Sequence, residues 1–127
     1  MKLNMGIDPG DSIGWAMGMG EDLHSSGTIE GTTAFAKALH KWLRHYDMEW
    51  VAYERFNLRV SSPEAERTIE CVGVIKWVCT MRRVKWVAVE ASHKRKTIKE
   101  VSKTVGSRHA RDAEAIRLWA LRYGSRR

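Results

Sequence analysis

The chain has 127 residues, of which 43% are hydrophobic and 29% charged, and its formal net charge is +7. This length and composition predict one globular domain over residues 1–127 and exclude a disordered or fibrous chain. No run of roughly 18 or more apolar residues occurs, which excludes a membrane-spanning helix and a membrane partner. The first ten residues lack the apolar core of a signal peptide, so we expect a cytoplasmic protein.

Three strands and a helix are predicted in the first third of the chain. Alternating apolar and polar residues indicate strands at Lys2–Asp8, Ile13–Met19 and His24–Glu30, joined by short turns as an antiparallel meander. The next segment begins at Thr32 or Thr33, either of which can cap a helix. Its apolar residues then recur at steps of three and four, which predicts an amphipathic helix.

The middle of the chain predicts a buried strand followed by a long helix. The strand is Trp50–Phe56, and Ser61 is placed to cap a helix that runs from Pro63 to Met81. Apolar residues cover more than one face of this helix. Such a helix is either deeply buried or pairs with another subunit, so we expect a homodimer through Pro63–Met81.

The last third completes the sheet and carries most of the positive charge. It predicts a strand at Val84–Glu90, a basic helix at His93–Lys103 and a final helix at His109–Tyr123. The element order is therefore βββαβαβαα, which predicts an α/β fold with a mixed five-stranded sheet flanked by helices.

The distribution of charge along the chain indicates the class of partner. Residues 82–127 hold 14 Lys or Arg and 4 Asp or Glu, a net charge of +10, whereas residues 1–81 carry −3. This asymmetry indicates a polyanionic partner, with a plain role in solubility as the alternative.

Cys71 and Cys79 are too few for a disulfide framework and show no zinc-ligand spacing, so we expect two reduced core thiols.

Acidic residues stand at the ends of three elements. Asp8 closes the first strand, Glu54 lies near the end of the fourth, and Asp112 lies in the first turn of the last helix, three residues after His109. If the first and fourth strands are neighbours, Asp8 and Glu54 face each other on one side of the sheet. A last helix packed across that side presents His109 and Asp112 together, because residues three apart share a helix face.

Clustered carboxylates repel one another unless a cation lies between them. Mg²⁺ prefers oxygen ligands, and two such ions about 4 Å apart can hydrolyse a phosphodiester bond. Next to a basic surface, this chemistry indicates a nuclease with no small-molecule cofactor. Each residue also has a purely structural interpretation. Asp8 is then a turn residue and Glu54 a partner of Arg55 or Arg59. Asp112 is then a first-turn residue favoured by the helix dipole, and His109 a cap or a solvent-exposed residue.

Three segments carry a resemblance to a known family. GIDPGDSIGWA, VAYERF and HARDAEAIRLWAL, in that order, resemble the RuvC-like Holliday junction resolvases of the RNase H-like superfamily over nearly the full chain. The resemblance implies that Asp8, Glu54 and Asp112 are catalytic, metal-binding carboxylates and that His109 is the fourth member of the set. It also implies a dimer that makes paired cuts in four-way DNA junctions with two Mg²⁺ ions per site.

The resemblance is incomplete in two respects. Histidine at position 109 makes Mn²⁺ an alternative to Mg²⁺, because imidazole suits Mn²⁺ better than Mg²⁺. The chain is shorter than typical bacterial members of the family, which indicates a member from a phage or another mobile element, acting in the host cytoplasm if it is phage-encoded.

Branched DNA is the partner that these observations predict, with contacts mainly to phosphates. Phe56 is predicted either to insert at an opened base step or to lie in the core, and the six tryptophans are expected mainly in the core or an interface. The predicted DNA-contacting residues are Arg55, Phe56, Lys94, Arg95, Lys96, Lys99, Lys103, Arg108 and Arg111.

Two other functions stay open at this point. A flap, Y-branch or RNA/DNA-hybrid nuclease has the same fold and the same type of site. A non-catalytic protein that binds branched DNA needs only the basic surface. An actin-like kinase is disfavoured, since that fold needs two domains to enclose ATP and 127 residues cannot supply both.

Overall fold

A computed structural model describes residues 2–55, 62–101 and 105–124, which form five strands, four α-helices and one 3₁₀ turn. No helix in these ranges is long and apolar enough to cross a membrane. The elements, in chain order, are β1 (Leu3–Asp8), β2 (Ser12–Met19), β3 (Asp22–Glu30), α1 (Thr32–His45), β4 (Met48–Glu54), α2 (Pro63–Arg82), β5 (Lys85–Val89), α3 (Ala91–Thr97), the 3₁₀ turn (Ile98–Glu100) and α4 (Arg108–Arg122).

The five strands form one mixed sheet in the order β3-β2-β1-β4-β5. The first three strands pair antiparallel, whereas β1 with β4 and β4 with β5 pair parallel. The predicted α/β class, the mixed five-stranded sheet and the order of the elements are confirmed. The arrangement makes β1 and β4 neighbours near the middle of the sheet.

Several predicted boundaries were wrong. Strand β4 begins at Met48, because its pairing with β1 already starts there, and it ends at Glu54. The basic helix begins at Ala91 and ends at Thr97, whose hydroxyl donates a hydrogen bond to the Ala115 carbonyl at 2.8 Å. The last residue of the regular helix is therefore hydrogen-bonded to α4.

The helix caps also differ from the predicted ones. Gly31, with a φ of 88°, precedes α1, so Thr32 and Thr33 lie within the helix. Ser62 caps α2 by accepting a hydrogen bond from the backbone N–H of Ala65 at 3.1 Å. Ser61, predicted as this cap, lies outside the described residues.

One face of the sheet packs against α1 and α2. Met5, Ile7 and Val51 are fully buried there together with residues of both helices. Cys71 and Cys79 are buried free thiols in this layer, as predicted. Burial raises the pKa of each to about 12, so both remain protonated at neutral pH.

The opposite face of the sheet is covered by α4, and small residues let the helix approach closely. A Cβ added at Gly6 would lie 2.1 Å from the Ala113 carbonyl oxygen. A Cβ at Gly14 would lie 2.0 Å from the His109 carbonyl oxygen. Glycine at both positions is therefore required for the observed distance between helix and sheet.

A buried ion pair anchors α4 to this face. Arg117 is fully buried, and its guanidinium donates to both carboxylate oxygens of Glu114 at 2.6 and 2.9 Å. It also donates to Asn4 Oδ1 on β1 at 2.6 Å and to the Gly20 carbonyl at 2.7 Å. A buried charge without partners is strongly destabilising, so these hydrogen bonds fix the position of α4 along β1.

Candidate active site

Two carboxylates lie where β1 and β4 end. Ile7 pairs with Tyr53 in the parallel register, so the next residues, Asp8 and Glu54, stand side by side at the carboxyl ends of these strands. Side chains alternate between the two faces of a strand, and Ile7 and Tyr53 point toward the α1–α2 layer. Asp8 and Glu54 therefore point toward α4.

The first turn of α4 brings two more polar residues to the same place. His109 Nδ1 lies 3.0 Å from Asp8 Oδ2, so the imidazole N–H can donate to the carboxylate. Asp112 lies one turn further along α4. Ser107 caps the helix by accepting from the N–H of Ala110 at 3.2 Å, which fixes where this first turn begins.

Lys94 of α3 lies among these carboxylates. Its Nζ atom is 2.9 Å from Glu54 Oε1 and 3.8 Å from Asp112 Oδ2. Burial alone lowers the pKa of Lys94, but the hydrogen bond and charge of Glu54, with the charges of Asp112 and Asp8, raise it above its ordinary value. The ammonium group is therefore charged and offsets part of the negative charge of the site.

Asp8 is the most buried of the three carboxylates at this site. It is 7% exposed, and burial raises its pKa above the ordinary value, although the His109 hydrogen bond and the charge of Lys94 act in the opposite direction. The charges of Asp112 and Glu54 raise it further. Such a carboxylate gains from a nearby cation, because a positive charge stabilises its ionised form.

Sequence reasoning expected a metal-binding group made of Asp8, Glu54, His109 and Asp112. The structure brings these four side chains to one end of the sheet, linked in pairs through His109 and Lys94. Across residues 2–55, 62–101 and 105–124, however, no three His, Cys, Asp or Glu side chains are grouped closely enough to hold a metal ion.

A small basic cavity adjoins Asp112. It has a volume of about 170 Å³ and is lined by Ile98, Arg108, Arg111 and Asp112. The Nε atom of Arg111 is buried and has no hydrogen-bond partner among the described residues. Two guanidinium groups beside a carboxylate, one with an unused donor, form a surface suited to a phosphate group.

The other predicted DNA-contacting residues fall into three groups. Arg95, Lys96 and Lys99 are exposed on α3 and the 3₁₀ turn. Arg55 is half exposed and pairs with Glu90 at 3.4 Å, so it does not neutralise Glu54. The remaining two, Phe56 and Lys103, lie outside the described residues.

Sequence reasoning missed the position of Lys94 and the role of the glycines. Lys94 was assigned to a phosphate-contacting helix face, and nothing in its local sequence distinguishes it from Lys96. The alternation of Gly14, Ala16 and Gly18 along one face of β2 was a usable signal, because small residues at every second position permit a close-packed helix.

The sheet order, the helix across its face and the carboxylates at the strand ends define an α/β protein with the RNase H-like fold. No protein-family model matches the chain, and no curated protein matches it in sequence. The fold itself does match solved structures of Holliday junction resolvases.

A Thermus thermophilus RuvC bound to a Holliday junction substrate has a TM-score of 0.84 at 14% identity, over 99% of this chain and 96% of that chain. A second T. thermophilus RuvC structure has a TM-score of 0.79 at 18% identity, over 98% and 96%. The Fowlpox virus resolvase with Holliday junction DNA has a TM-score of 0.62 at 12% identity, over 94% and 98%. These likenesses establish the RNase H-like fold in its RuvC form.

Proposed function

We propose that this chain is a metal-dependent endonuclease that cleaves branched DNA, in particular four-way Holliday junctions, by paired phosphodiester hydrolysis. The observation that carries the proposal is the convergence of three carboxylates and a histidine at the carboxyl ends of β1 and β4. The RuvC form of the fold and the net charge of +10 in residues 82–127 support a DNA substrate.

The donor set suits divalent metal ions in its chemistry. Asp8, Glu54 and Asp112 offer the hard oxygen ligands that Mg²⁺ and Mn²⁺ prefer, and the contacts of Lys94 with two of them mark a point where positive charge is stabilised. Asp8, Glu54 and Asp112 would hold the ions once brought closer together than they lie in this structure. The ions, when bound, would supply an activated water and stabilise the leaving oxygen.

The protein side chains orient this reaction. With Nδ1 of His109 engaged by Asp8, its Nε2 atom is free to order the attacking water or to bind an ion. Water attacks the phosphorus, the bond to one ester oxygen breaks, and that oxygen leaves with a proton. Lys94, which contacts both Glu54 and Asp112, limits the repulsion between them.

The basic groups next to Asp112 are proposed to hold the DNA backbone. Arg108 and Arg111 line one small cavity, and the unused Nε donor of Arg111 can pair with a phosphate oxygen. Arg95, Lys96 and Lys99 extend the same basic surface. Each phosphate neutralised on duplex DNA steepens the salt dependence of binding by roughly 0.9 in log–log slope.

A homodimer would provide two sites for two cuts. Along α2, Ile69 is 46% exposed, Trp77 60% and Met81 62%, which is unusual for large apolar side chains of one helix. We propose that this apolar patch on α2 (Ile69, Trp77 and Met81) pairs with its copy across a two-fold axis. A symmetric dimer would then present two sites to a junction that has two-fold symmetry.

Cleavage of a synthetic four-way junction tests the proposal. We expect products with Mg²⁺ or Mn²⁺ and none in EDTA, and about a thousandfold loss of rate in Asp8→Asn and Asp112→Asn, since metal binding contributes several kcal/mol. Asp11→Asn is the control, because Asp11 is exposed and pairs with Arg67 outside the site.

Parallel reactions with flap, Y-branch and RNA/DNA-hybrid substrates identify the preferred substrate. Tight junction binding with no turnover under any divalent ion would instead identify a non-catalytic binding protein. Equal cleavage by Asp8→Asn and the unaltered chain would reject the proposed site.

A further inference from the structure

A second, larger cavity lies between α3 and the C-terminal half of α4, apart from the carboxylates. Its volume is about 340 Å³, within the range of pockets that bind small ligands. Aromatic and charged side chains form most of its wall. The residues that line it include His93, Lys96, Glu100, Trp119, Arg122 and Tyr123.

Three aromatic rings make a continuous surface in this cavity. The His93 and Trp119 rings are stacked, with centroids 4.1 Å apart and planes 2° from parallel. Trp119 in turn contacts Tyr123, with centroids 5.3 Å apart. Tyr123 is 57% exposed, so this row of rings opens to solvent at one end.

The polar groups of the cavity favour a negatively charged ligand that carries a hydrogen-bonding edge. Glu100 is neutralised by Arg122 at 2.6 Å, whereas Lys96 makes no ion pair within the part of the chain that the structure describes. His93 Nδ1 is buried and lacks a hydrogen-bond partner there. A planar ring with polar edge atoms, attached to a phosphate, matches these three features.

The cavity lies further along the same two helices than the carboxylate site does. Asp112 and Trp119 are seven residues apart on α4, which places them on the same face and about 10 Å apart along its axis. On α3, Lys94 contacts Asp112 while its neighbour His93 stacks on Trp119. About 10 Å corresponds to roughly three nucleotide steps of a duplex strand.

We propose that this cavity binds an unpaired nucleobase of the DNA substrate, stacked against Tyr123 at the open end of the row of rings, while Lys96 contacts its phosphate. The distance from the cut rests on the function proposed above, but the stacking does not. Stacking on aromatic side chains tolerates any base, so the cavity would favour strands with unpaired bases over fully paired duplex.

Fluorescence measurements in EDTA test stacking without cleavage. The probe is a single-stranded oligonucleotide of thymidines with one central 2-aminopurine, compared with a paired duplex of the same length. We expect the 2-aminopurine emission to fall when the unaltered chain binds. Tyr123→Ala should bind the single strand about tenfold more weakly with unchanged affinity for the duplex, because removing one stacking ring costs roughly this factor.

Matched variants separate stacking from a general structural effect. Tyr123→Phe keeps the ring and should bind as the unaltered chain does. Tyr46→Ala removes another exposed tyrosine, 47% exposed at the end of α1, and should change nothing. Trp119→Leu removes the ring against which Tyr123 packs and should reduce the loss of 2-aminopurine emission, and circular dichroism checks that this variant folds.

The proposal is overturned if Tyr123→Ala binds the single strand as tightly as Tyr46→Ala does, or if the 2-aminopurine emission does not change on binding. Loss of emission in a chain that cuts no junction would leave this cavity assigned and reject the nuclease function. Normal junction cleavage with no loss of emission would support the nuclease function and reject this cavity as a base-binding site.

Discussion

Lys94 and Glu54 form an ion pair of 2.9 Å at the carboxyl end of β4, and the same ammonium group lies 3.8 Å from Asp112. A residue from the basic helix thus stands among the carboxylates instead of on the outer surface. The positive charge of Lys94 therefore offsets part of the negative charge of the carboxylates. Its presence affects how readily these carboxylates bind another cation.

Replacing Lys94 tests this balance. Lys94→Gln leaves Glu54 and Asp112 without their cation, which we expect to cost about 1–2 kcal/mol of folding stability for such a partly exposed pair. Added Mg²⁺ should then raise Tm more than in the unaltered chain, since the ion binds only the folded state. Thermal denaturation with and without Mg²⁺ measures this, with the exposed Lys41→Gln as control. Equal Mg²⁺ shifts in the two variants would contradict the role given to Lys94.

The buried carboxylate of Asp8 is predicted to lower the stability of the fold at neutral pH, although the proposed activity requires it. Burial raises its pKa in the folded chain above the ordinary value of 3.8, so the folded state binds this proton more tightly than the unfolded state does. The stability contributed by Asp8 is therefore lost as pH rises from the ordinary pKa through the raised one.

Asp8→Asn removes this titration. In EDTA we expect the variant to be more stable than the unaltered chain at about pH 7, and the difference to shrink at about pH 3. Urea denaturation across this range measures it, and Asp11→Asn controls for the loss of a negative charge. A variant that is less stable at neutral pH would show that Asp8 stabilises the fold.

Gly14 is predicted to set the position of His109. A Cβ at residue 14 would lie 2.0 Å from the His109 carbonyl oxygen, so Gly14→Ala must push α4 away from the sheet. We expect a loss of about 1–3 kcal/mol, as for other overpacked sites, and a reduced cleavage rate.

Gly73→Ala is the matched control for stability alone, because Gly73 lies between Ile69 and Trp77 on the apolar patch of α2. No atom outside the backbone of α2 lies within 4 Å of its added Cβ, and alanine favours the interior of α2 by roughly 0.5–1 kcal/mol. Denaturation midpoints are measured for both variants, and junction cleavage for Gly14→Ala and the unaltered chain. Unchanged cleavage in Gly14→Ala would mean that the position of α4 is less constrained than the contact implies.

The apolar patch on α2 predicts the oligomeric state. Trp77→Lys places a charge in the middle of the proposed dimer interface, and we expect the dimer to become a monomer at micromolar concentration. Light scattering measures the mass of each variant. Trp86→Lys, on strand β5, is a control at another exposed tryptophan, 40% exposed against 60% for Trp77. A monomeric mass for the unaltered chain would reject the interface.

The two thiols predict a pattern of chemical reactivity. Because burial raises the pKa of Cys71 and Cys79 to about 12, neither forms the reactive thiolate at about pH 8 in the folded chain. Iodoacetamide should therefore modify neither cysteine until urea unfolds the protein, and mass spectrometry counts the adducts. Modification of the native chain would indicate that this layer opens locally.

Most of the fold could be predicted because its signals are local. Alternation and helical periodicity fix the element types, and strand–helix alternation after a meander predicts a mixed sheet. The carboxylates at positions 8, 54 and 112 could be proposed because each stands at the end of an element. The predicted end of the basic helix was wrong because the helix stops at Thr97, which is hydrogen-bonded to α4. The predicted cap of α1 was wrong because Gly31 precedes that helix. Local sequence patterns contain neither piece of information.

The sequence by itself determined the element order, the basic last third and the residue types available to a site. Only the tertiary structure decided that Lys94 faces the carboxylates, that Arg55 pairs with Glu90, and that His93 stacks on Trp119. These are contacts between elements. The contacts of Lys94 and His93 with α4 depend on how closely α4 approaches the sheet, which the glycines of β1 and β2 and the buried Arg117 set together. The Arg55–Glu90 pair depends on the pairing of β4 with β5, so no single segment encodes any of the three contacts.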